Sequence, residues 1–365
     1  MSLNDMTSKK PRIAIIITRS DIGGAQNHVR SILAGFSSEC DLLLVSGSEG
    51  LLTEYARQLR VQVEVCPSID SYNVVGATFR LLAVLRRFDP GLVHTHSALA
   101  SMSGRIAAKV LGIKTLYTVH GWHFAGLDVG VRRRLQVAME KIMRPLTDFW
   151  ITVSEFDLRL GLSAGILEGG RSKCIPNGIP DEQIERTERP FGQLRVVFVG
   201  RASYQKNIYG ALQVLENAGE DVRMTIYTSG AGAAELFDLV SISKAKERCE
   251  IVLDEPRAGS LLGDYDVMLV TSRYEGMPLS VIEGLRAGLC IFSTDVCGMS
   301  ELVGAKNGRL YPMTDFVGMA KSLNQVALDD VGLKSMQRES RRLYAEKFSE
   351  KLMVQAISHV YHTMI

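Results

Sequence analysis

At 365 residues, 46% hydrophobic and 22% charged, the chain has the composition of a folded protein long enough for two cores. A net charge of +2 argues against a nucleic-acid-binding protein, whose phosphate-facing surface needs a strong basic excess. Six scattered cysteines without a C-x-x-C pair (Cys290 and Cys297 are the closest) argue against a disulfide frame or zinc site and fit reduced thiols in a cytoplasmic protein. Residues 1–10 are polar, lack the apolar core of a signal peptide and read as a loose tail. No apolar run reaches the roughly 18 residues of a membrane span.

In chain order, short apolar runs alternate with stretches of helical period. Residues 12–18, 41–46, 61–66, 92–95, 115–119 and 149–153 read as strands, near-continuous and β-branched as buried parallel strands are. Residues 25–36, 51–59, 77–88, 101–111 and 132–146 read as the helices between them. The repeated βα pattern predicts a doubly wound α/β sheet. A second series follows, with strands at 195–199, 223–228, 250–253, 267–270 and 290–293 and helices between. From 175 to 193, Pro176, Pro180, Pro190 and several charges break the periodicity and mark a linker. The expected organisation is a Rossmann-like domain over 1–178, a linker over 179–191, a second Rossmann-like domain over 192–345, and a stretch 346–365 whose helix at 349–364 returns to the first domain. Open α/β sheets bind ligands beyond the carboxyl ends of their strands. Two such sheets facing each other place the expected site in the cleft between them.

The stretch Arg273-Tyr274-Glu275-Gly276-Met277-Pro278-Leu279-Ser280-Val281-Ile282-Glu283 carries the most chemistry. Pro278 suits the first turn of a helix, where no N–H is needed. Free N–H groups around Gly276, Met277 and Leu279 then make an anion site at the helix start. Glu275 precedes the helix and Glu283 lies in its second turn, so they bracket that site from two directions. Carboxylates accept hydrogen bonds from vicinal hydroxyls, and a phosphate flanked by diols describes a sugar nucleotide. A capped surface helix would favour glutamates near its start through the dipole alone.

Other segments converge on strand ends. Asp21-Ile22-Gly23-Gly24-Ala25 closes the first strand, and its paired glycines let backbone approach a ligand, although a simple turn uses them too. The G-x-G-x-x-G spacing of dinucleotide binders is absent there. Arg201 and Lys206 follow the strand at 195–199 and can clamp a diphosphate, where most such cations are solvated surface charge. His120, followed by Gly121, closes the strand at 115–119, while His94 and His96 alternate onto one face of their own strand. A lone histidine is more often structural. Asp264-Tyr265-Asp266 has the D-x-D look of a metal site but stands at the opposite end of its strand. No other cluster has ligand-like spacing, so no metal is expected. Arg132, Arg133, Arg134, Lys141 and Arg144 lie on one predicted helix, and Arg80, Arg86 and Arg87 on another. They read as solvated faces or as interfacial helices drawn to anionic lipid.

Together these residues resemble glycosyltransferases of the GT-B fold, family 4, also called group 1. The resemblance spans nearly the whole chain. Its most specific part is Glu275-x7-Glu283 within Ser272–Pro278, continuing to Ala287-Gly288 and Thr294-Asp295-Val296-Cys297-Gly298. Gly23-Gly24, His120-Gly121, Val153-Ser154, Pro176-Asn177-Gly178 and Gly200-Arg201 with Lys206 support it in the family's order. Two departures stand out. Asn207 occupies a position where the family often has glycine, and Cys290 lies where proline is common nearby.

The resemblance implies two Rossmann-like domains, the first binding an acceptor and the second a nucleotide-sugar donor. Arg201 and Lys206 would clamp the diphosphate, and Glu283 would hold the ribose hydroxyls. Glu275 would face the transferred sugar, with the amides of Gly276, Met277 and Leu279 around Pro278 on sugar and phosphate. His120 would touch the sugar near its anomeric carbon, and Gly23 and Gly24 would approach the diphosphate. The expected activity is retaining, metal-independent transfer without a cofactor, from a UDP-sugar to a glycan or polyprenyl-linked acceptor in polysaccharide biosynthesis. The expected location is cytoplasmic, peripheral on the inner face of the membrane. A nucleotide-sugar epimerase of the same fold and a non-catalytic sugar-nucleotide binder remain alternatives. The segment 253–256 is a candidate for base recognition.

Overall fold

The structure is a computed structural model that describes residues 10–21, 23–126, 130–188, 190–230, 232–255 and 257–365. The predicted tail through residue 9, Ile22 of the glycine turn and Pro256 of the base-recognition candidate lie outside the described residues. The chain forms two compact units. The first takes in the described residues up to Val153, Asp157–Ile175 and Met353–Ile365, and the second Ser154–Phe156 and Pro176–Leu352.

In the first unit, β1 (Arg12–Ile17), β2 (Asp41–Ser46), β3 (Gln62–Val65), β4 (Leu92–His96), β5 (Lys114–Val119), β6 (Phe149–Thr152) and β7 (Ser172–Cys174) pair in parallel in the order β3-β2-β1-β4-β5-β6-β7. The run Ile13–Ile17 is fully buried because helices cover both faces of the sheet. Alternation along the strand assigns the faces. Ile13, Ile15 and Ile17 pack with Val29, Ile32 and Leu33 of the helix Gly24–Phe36. Ala14 and Ile16 pack with Leu81 and Leu85 of the helix Val74–Phe88 and with Ala107 of the helix Ala98–Val110. The last helix, Glu350–Met364, lays Met353, Ile357, Val360, Tyr361 and Met364 into this core. Their spacing is that of one helical face.

In the second unit, β8 (Leu194–Val199), β9 (Val222–Thr228), β10 (Cys249–Leu253), β11 (Val267–Val270), β12 (Cys290–Thr294) and β13 (Gly308–Tyr311) pair in parallel in the order β10-β9-β8-β11-β12-β13. Val196, Phe198, Leu269 and Phe292 pack against Ala211 and Leu215 of the helix Ile208–Asn217 and against Met319 and Leu323 of the helix Phe316–Leu328. The linker stretch belongs to this unit. Ile179 bridges Ser349, and Arg186 donates to the carbonyls of Ala287 and Gly288.

The order reverses between β1 and β4 in the first sheet and between β8 and β11 in the second. At such a switch point the connections leave in opposite directions and open a crevice at the carboxyl ends. The strands β7 and β13 had no apolar run to announce them. Ser172-Lys173-Cys174 and Gly308-Arg309-Leu310-Tyr311 are short edge strands with one side left unpaired.

Candidate active site

The switch point of the second sheet brings Lys206, after β8, to Glu275, after β11. Lys206 Nζ lies 2.8 Å from Glu275 Oε1. Ser272 Oγ donates to the same oxygen at 2.6 Å, and Gln205 Nε2 donates to Oε2 at 3.4 Å. Gln205 is itself fixed, donating to the Tyr274 carbonyl at 3.1 Å and accepting from the Arg273 amide at 2.8 Å. Glu275 is 7% exposed, so its carboxylate is held from three sides in a largely dry environment. Gly200 clears the way for the lysine stem, since a Cβ there would stand 3.1 Å from Lys206 Cδ. Arg201 is exposed, with no hydrogen bond or ion pair to another described residue.

Asn207 caps the helix Ile208–Asn217 in the left-handed region, at φ 51°. Glycine takes that conformation freely, and asparagine is among the few other residues that visit it readily. Its departure from the family pattern therefore preserves the backbone. The side chain adds contacts of its own, donating from Nδ2 to the Thr271 carbonyl at 3.1 Å and accepting from Arg273 at 3.3 Å.

The turn after Glu275 is anchored from below. Met277 and Leu279 are 4% and 9% exposed and pack into the protein. Asn177 Nδ2 donates to the Met277 carbonyl at 2.9 Å. Gly298 lets the Gly276 carbonyl approach, since an added Cβ would sit 3.0 Å from it. Pro278 differs from expectation. It caps the helix Leu279–Arg286 and is not inside its first turn. Its ring fixes φ at −68° but leaves ψ free, and the extended ψ of 122° aims its carbonyl into the helix. That carbonyl accepts from Val281 and Ile282 at 3.2 and 3.3 Å, and the amides of Leu279 and Ser280 stay without intrahelical partners.

Glu283 lies one turn further along, half-buried against Gly259, where an added Cβ would stand 3.2 Å from its carboxyl carbon. Burial pushes its pKa up to about 7, with Arg286 pulling it down and Glu182 adding to the rise. Glu275 and Glu283 are thus held in different ways, one by a cation and two donors, the other in a desolvated niche beside glycine.

In the first unit, Gly23 caps the helix Gly24–Phe36 with extended backbone and no side-chain cap, and Gly24 opens the helix exposed to solvent. His120 follows β5, half-buried, with its Nε2 3.1 Å from His96 Nδ1. His94 and His96 do share one face of β4, their ring centroids 4.2 Å apart, but both are fully buried. His94 is a core residue, its ring nitrogens 2.7 Å from Tyr361 Oη and 2.7 Å from Thr118 Oγ1. His28 joins from the helix, 5.0 Å from the His120 ring. Burial, then neighbouring imidazoles, hold His94, His96 and His120 well below the usual histidine range.

Asp266 is structural. It sits before β11 and accepts from the Arg195 amide at 3.0 Å and from Arg195 Nε at 3.2 Å. A cavity of about 1000 Å³ at that end is lined by Arg186, Asp266, Gln337 and Arg341 among others, and by none of the predicted site residues. Among the described residues no group of three or more His, Cys, Asp or Glu side chains could hold a metal ion, and no helix is long and apolar enough to cross a membrane.

Sequence reasoning missed Gln205, Ser272, Asn177 and His28. The first two adjoin Lys206 and the Glu275 motif, and their amide and hydroxyl are ordinary means of fixing a buried carboxylate. Asn177 was quoted only as part of Pro176-Asn177-Gly178. Nothing local distinguishes His28 from any other helical histidine.

Residues 22–183 match the family described as Glycosyltransferase Family 4, and residues 180–347 match Glycosyl transferases group 1. The O-antigen biosynthesis glycosyltransferase WbnH of Escherichia coli is 26% identical over 97% of this chain and 98% of its own. The Escherichia coli UDP-Gal:alpha-D-GlcNAc-diphosphoundecaprenol alpha-1,3-galactosyltransferase is 25% identical over 90% of each chain. Among solved structures, Anabaena HepE in complex with UDP superimposes with a TM-score of 0.83 at 16% identity, covering 97% of this chain and 100% of HepE.

Proposed function

The chain belongs to the family 4 (group 1) glycosyltransferases of the GT-B fold, and from that premise we propose that it transfers a sugar, with retention of anomeric configuration, from a UDP-sugar to a hydroxyl of a lipid-linked glycan. One observation carries this reading. The switch point of the second sheet holds a fixed cation, Lys206, and a helix start beside a buried carboxylate, Glu275, while an exposed arginine, Arg201, follows β8. Lys206 and Arg201 stabilise the charge that develops on the departing diphosphate, and the Leu279 and Ser280 amides add their dipoles. Glu275 accepts from a sugar hydroxyl, and Glu283 accepts from the ribose diol. The bond from the anomeric carbon to the phosphate oxygen breaks as the acceptor oxygen bonds that carbon from the same face. The acceptor proton passes to the leaving diphosphate. No step is assigned to a metal.

The uracil base is supported by HepE, whose structure contains UDP, and by a relative named for UDP-Gal. The same relative is named for a diphosphoundecaprenol acceptor, which supports a lipid-linked glycan here. The donor assignment is tested by calorimetric titration of UDP against GDP. Submicromolar to micromolar UDP binding with GDP at least tenfold weaker supports it, and the reverse order rejects it.

A membrane surface at the cytoplasmic face fits the first unit. The helix Val131–Met143 turns Val137 and Met143 inward, and its Glu140 pairs with buried Arg105 at 3.3 Å. Its outward face is the apolar one, with Val131, Leu135, Met139 and Ile142 exposed by 73%, 60%, 47% and 74%. Exposed Arg132, Arg134 and Lys141 flank that stripe. A water-facing helix has the opposite polarity. Apolar side chains between flanking cations suit the boundary of an anionic bilayer.

A further inference from the structure

The helix Leu279–Arg286 carries a charge arrangement beside Glu283 that the proposed transfer does not use. Arg286 lies three positions on from Glu283, one turn along the same face. Its side chain is 5% exposed. Nη1 donates to the Pro180 carbonyl at 3.2 Å and meets Glu182 Oε2 at 3.0 Å, and Nη2 donates to the Gly259 carbonyl at 3.3 Å. Gly259 is the residue that stands against the Glu283 carboxyl. One buried guanidinium thus ties the linker stretch and the turn Ala258–Asp264 to the helix, at the niche that holds Glu283.

Two carboxylates share this one cation. Glu182 has the ion pair, while Glu283 has neither hydrogen bond nor ion pair to Arg286 and receives only its field. A half-buried carboxyl loses its proton more readily beside a free cation, and less readily when a second anion compensates that cation. Other charges on the elements packed against this helix are engaged elsewhere. Arg257 pairs with Glu255 at 3.4 Å, and Asp264 accepts from Thr187. Arg341 stands at Gly288, beyond the last turn, and donates to Asp181 at 2.7 Å. Arg186 is also at that end, on the carbonyls of Ala287 and Gly288. Strand β12 contributes no carboxylate or cation.

We propose that Arg286 and Glu182 are positioning residues for Glu283. Arg286 holds the Gly259 wall of the niche, and Glu182, by occupying Arg286, leaves the niche short of positive charge, so that Glu283 keeps its proton near neutral pH. The linker carboxylate does this from an exposed position, its side chain 57% accessible. Its charge can therefore be removed without opening the core. The consequence for nucleotide affinity rests on the proposed ribose contact; the control of the Glu283 proton by Glu182 does not.

The test has two parts that fail independently. Carboxyl 13C NMR of the full chain, labelled at the glutamate side-chain carboxyl and assigned by loss of the signal in Glu283→Gln, reads the titration midpoint of Glu283 without donor or acceptor. Glu182→Gln is expected to lower that midpoint by roughly half a pH unit to one, because the field of Arg286 then falls on Glu283 uncompensated. Glu185→Gln removes an equal charge from the same exposed stretch without meeting Arg286, and should move the midpoint by less than about 0.2. Arg286→Met should raise it by roughly one pH unit, and Arg286→Lys, which keeps the charge, should stay closer to the parent. An unmoved midpoint in Glu182→Gln, or equal shifts in Glu182→Gln and Glu185→Gln, overturns the proposal. Calorimetric titration with UDP one pH unit below neutrality reads the consequence. Glu182→Gln should bind about threefold tighter than the parent there, with the difference gone one pH unit above neutrality. If the midpoint moves as stated and UDP affinity ignores pH in both chains, the ribose contact of Glu283 fails and its control by Glu182 stands.

Discussion

Lys206 and Glu275 hold one another at 2.8 Å, with side chains 18% and 5% exposed. This pair couples the part of the site assigned to the diphosphate with the part assigned to the sugar. In the free chain Glu275 pairs with Lys206, and a diphosphate bound as proposed would compete for that charge. Glu275→Gln keeps the shape and the hydrogen bond from Ser272 while releasing Lys206. It is expected to lower transfer by about 100-fold or more, the scale of losing one preorganised polar contact, while UDP binds as well as or better than to the parent. Arg201→Ala is expected to weaken UDP. Titration of both variants checks this, and loss of UDP affinity in Glu275→Gln as severe as in Arg201→Ala rejects the separate roles.

If Glu283 holds the ribose as proposed, nucleotide binding depends on pH. The Glu283 pKa is raised to about 7, and ribose hydroxyls need an acceptor carboxylate, so binding must expel its proton below that pH. UDP affinity is expected to fall by up to about tenfold per unit as pH drops below 7, and Glu283→Gln should flatten the profile. The sign for folding is opposite. The unfolded glutamate ionises near its ordinary 4.5 while the folded one stays protonated, so this residue's contribution to stability declines as pH rises from about 4.5 through about 7. Chemical denaturation across that range reads it, and a wild-type slope retained in Glu283→Gln contradicts the assignment.

Asn207 tests the backbone requirement beside Lys206 in the proposed diphosphate clamp. Its φ of 51° and its hydrogen bond to the Thr271 carbonyl are separate contributions. Asn207→Gly loses only the side chain. Asn207→Ala loses the side chain and also strains the backbone, so it should be the less stable by about 1 kcal/mol. Urea denaturation measures the order. An alanine variant as stable as the glycine variant would falsify the strain argument.

The outward stripe of Val131–Met143 predicts lipid binding with both an apolar and an ionic part. Leu135→Glu with Ile142→Glu should abolish co-sedimentation with anionic liposomes. Arg132→Glu with Arg134→Glu should weaken it and remove its salt dependence. Neutral liposomes should capture little. Binding indifferent to lipid charge and salt, or concentration-dependent self-association lost in the stripe variants, would replace the bilayer with another occupant.

Much of the fold could be read from the sequence because its physics is local. Ile13–Ile17 is a buried parallel strand in the sequence and in the structure, and the βα alternation names the sheet type before any contact is known. Arg201, Lys206 and Glu275 could be singled out because they follow strand ends, and the structure brings Lys206 and Glu275 together. What could not be read depends on partners distant in the chain. Glu275 meets a lysine 69 positions away, and His94 meets Tyr361 across 267. Neither spacing leaves a pattern. Pro278 was misplaced by one position because a proline ring fixes φ and leaves ψ to its surroundings. The outward polarity of the helix at 131–143 emerged only when Arg105, buried and itself unremarked in the sequence, claimed Glu140 and turned that face inward.

The central claim is retaining transfer from a sugar nucleotide. Its most direct test is proton NMR of the product formed by the purified chain from a UDP-sugar and a diphosphopolyprenyl-linked sugar, with UDP release followed in the same tube. The account predicts stoichiometric UDP and an acceptor carrying one new sugar whose anomeric configuration matches that of the donor. An inverted linkage would contradict the front-face mechanism. An epimerised sugar nucleotide formed without any acceptor would contradict transfer itself.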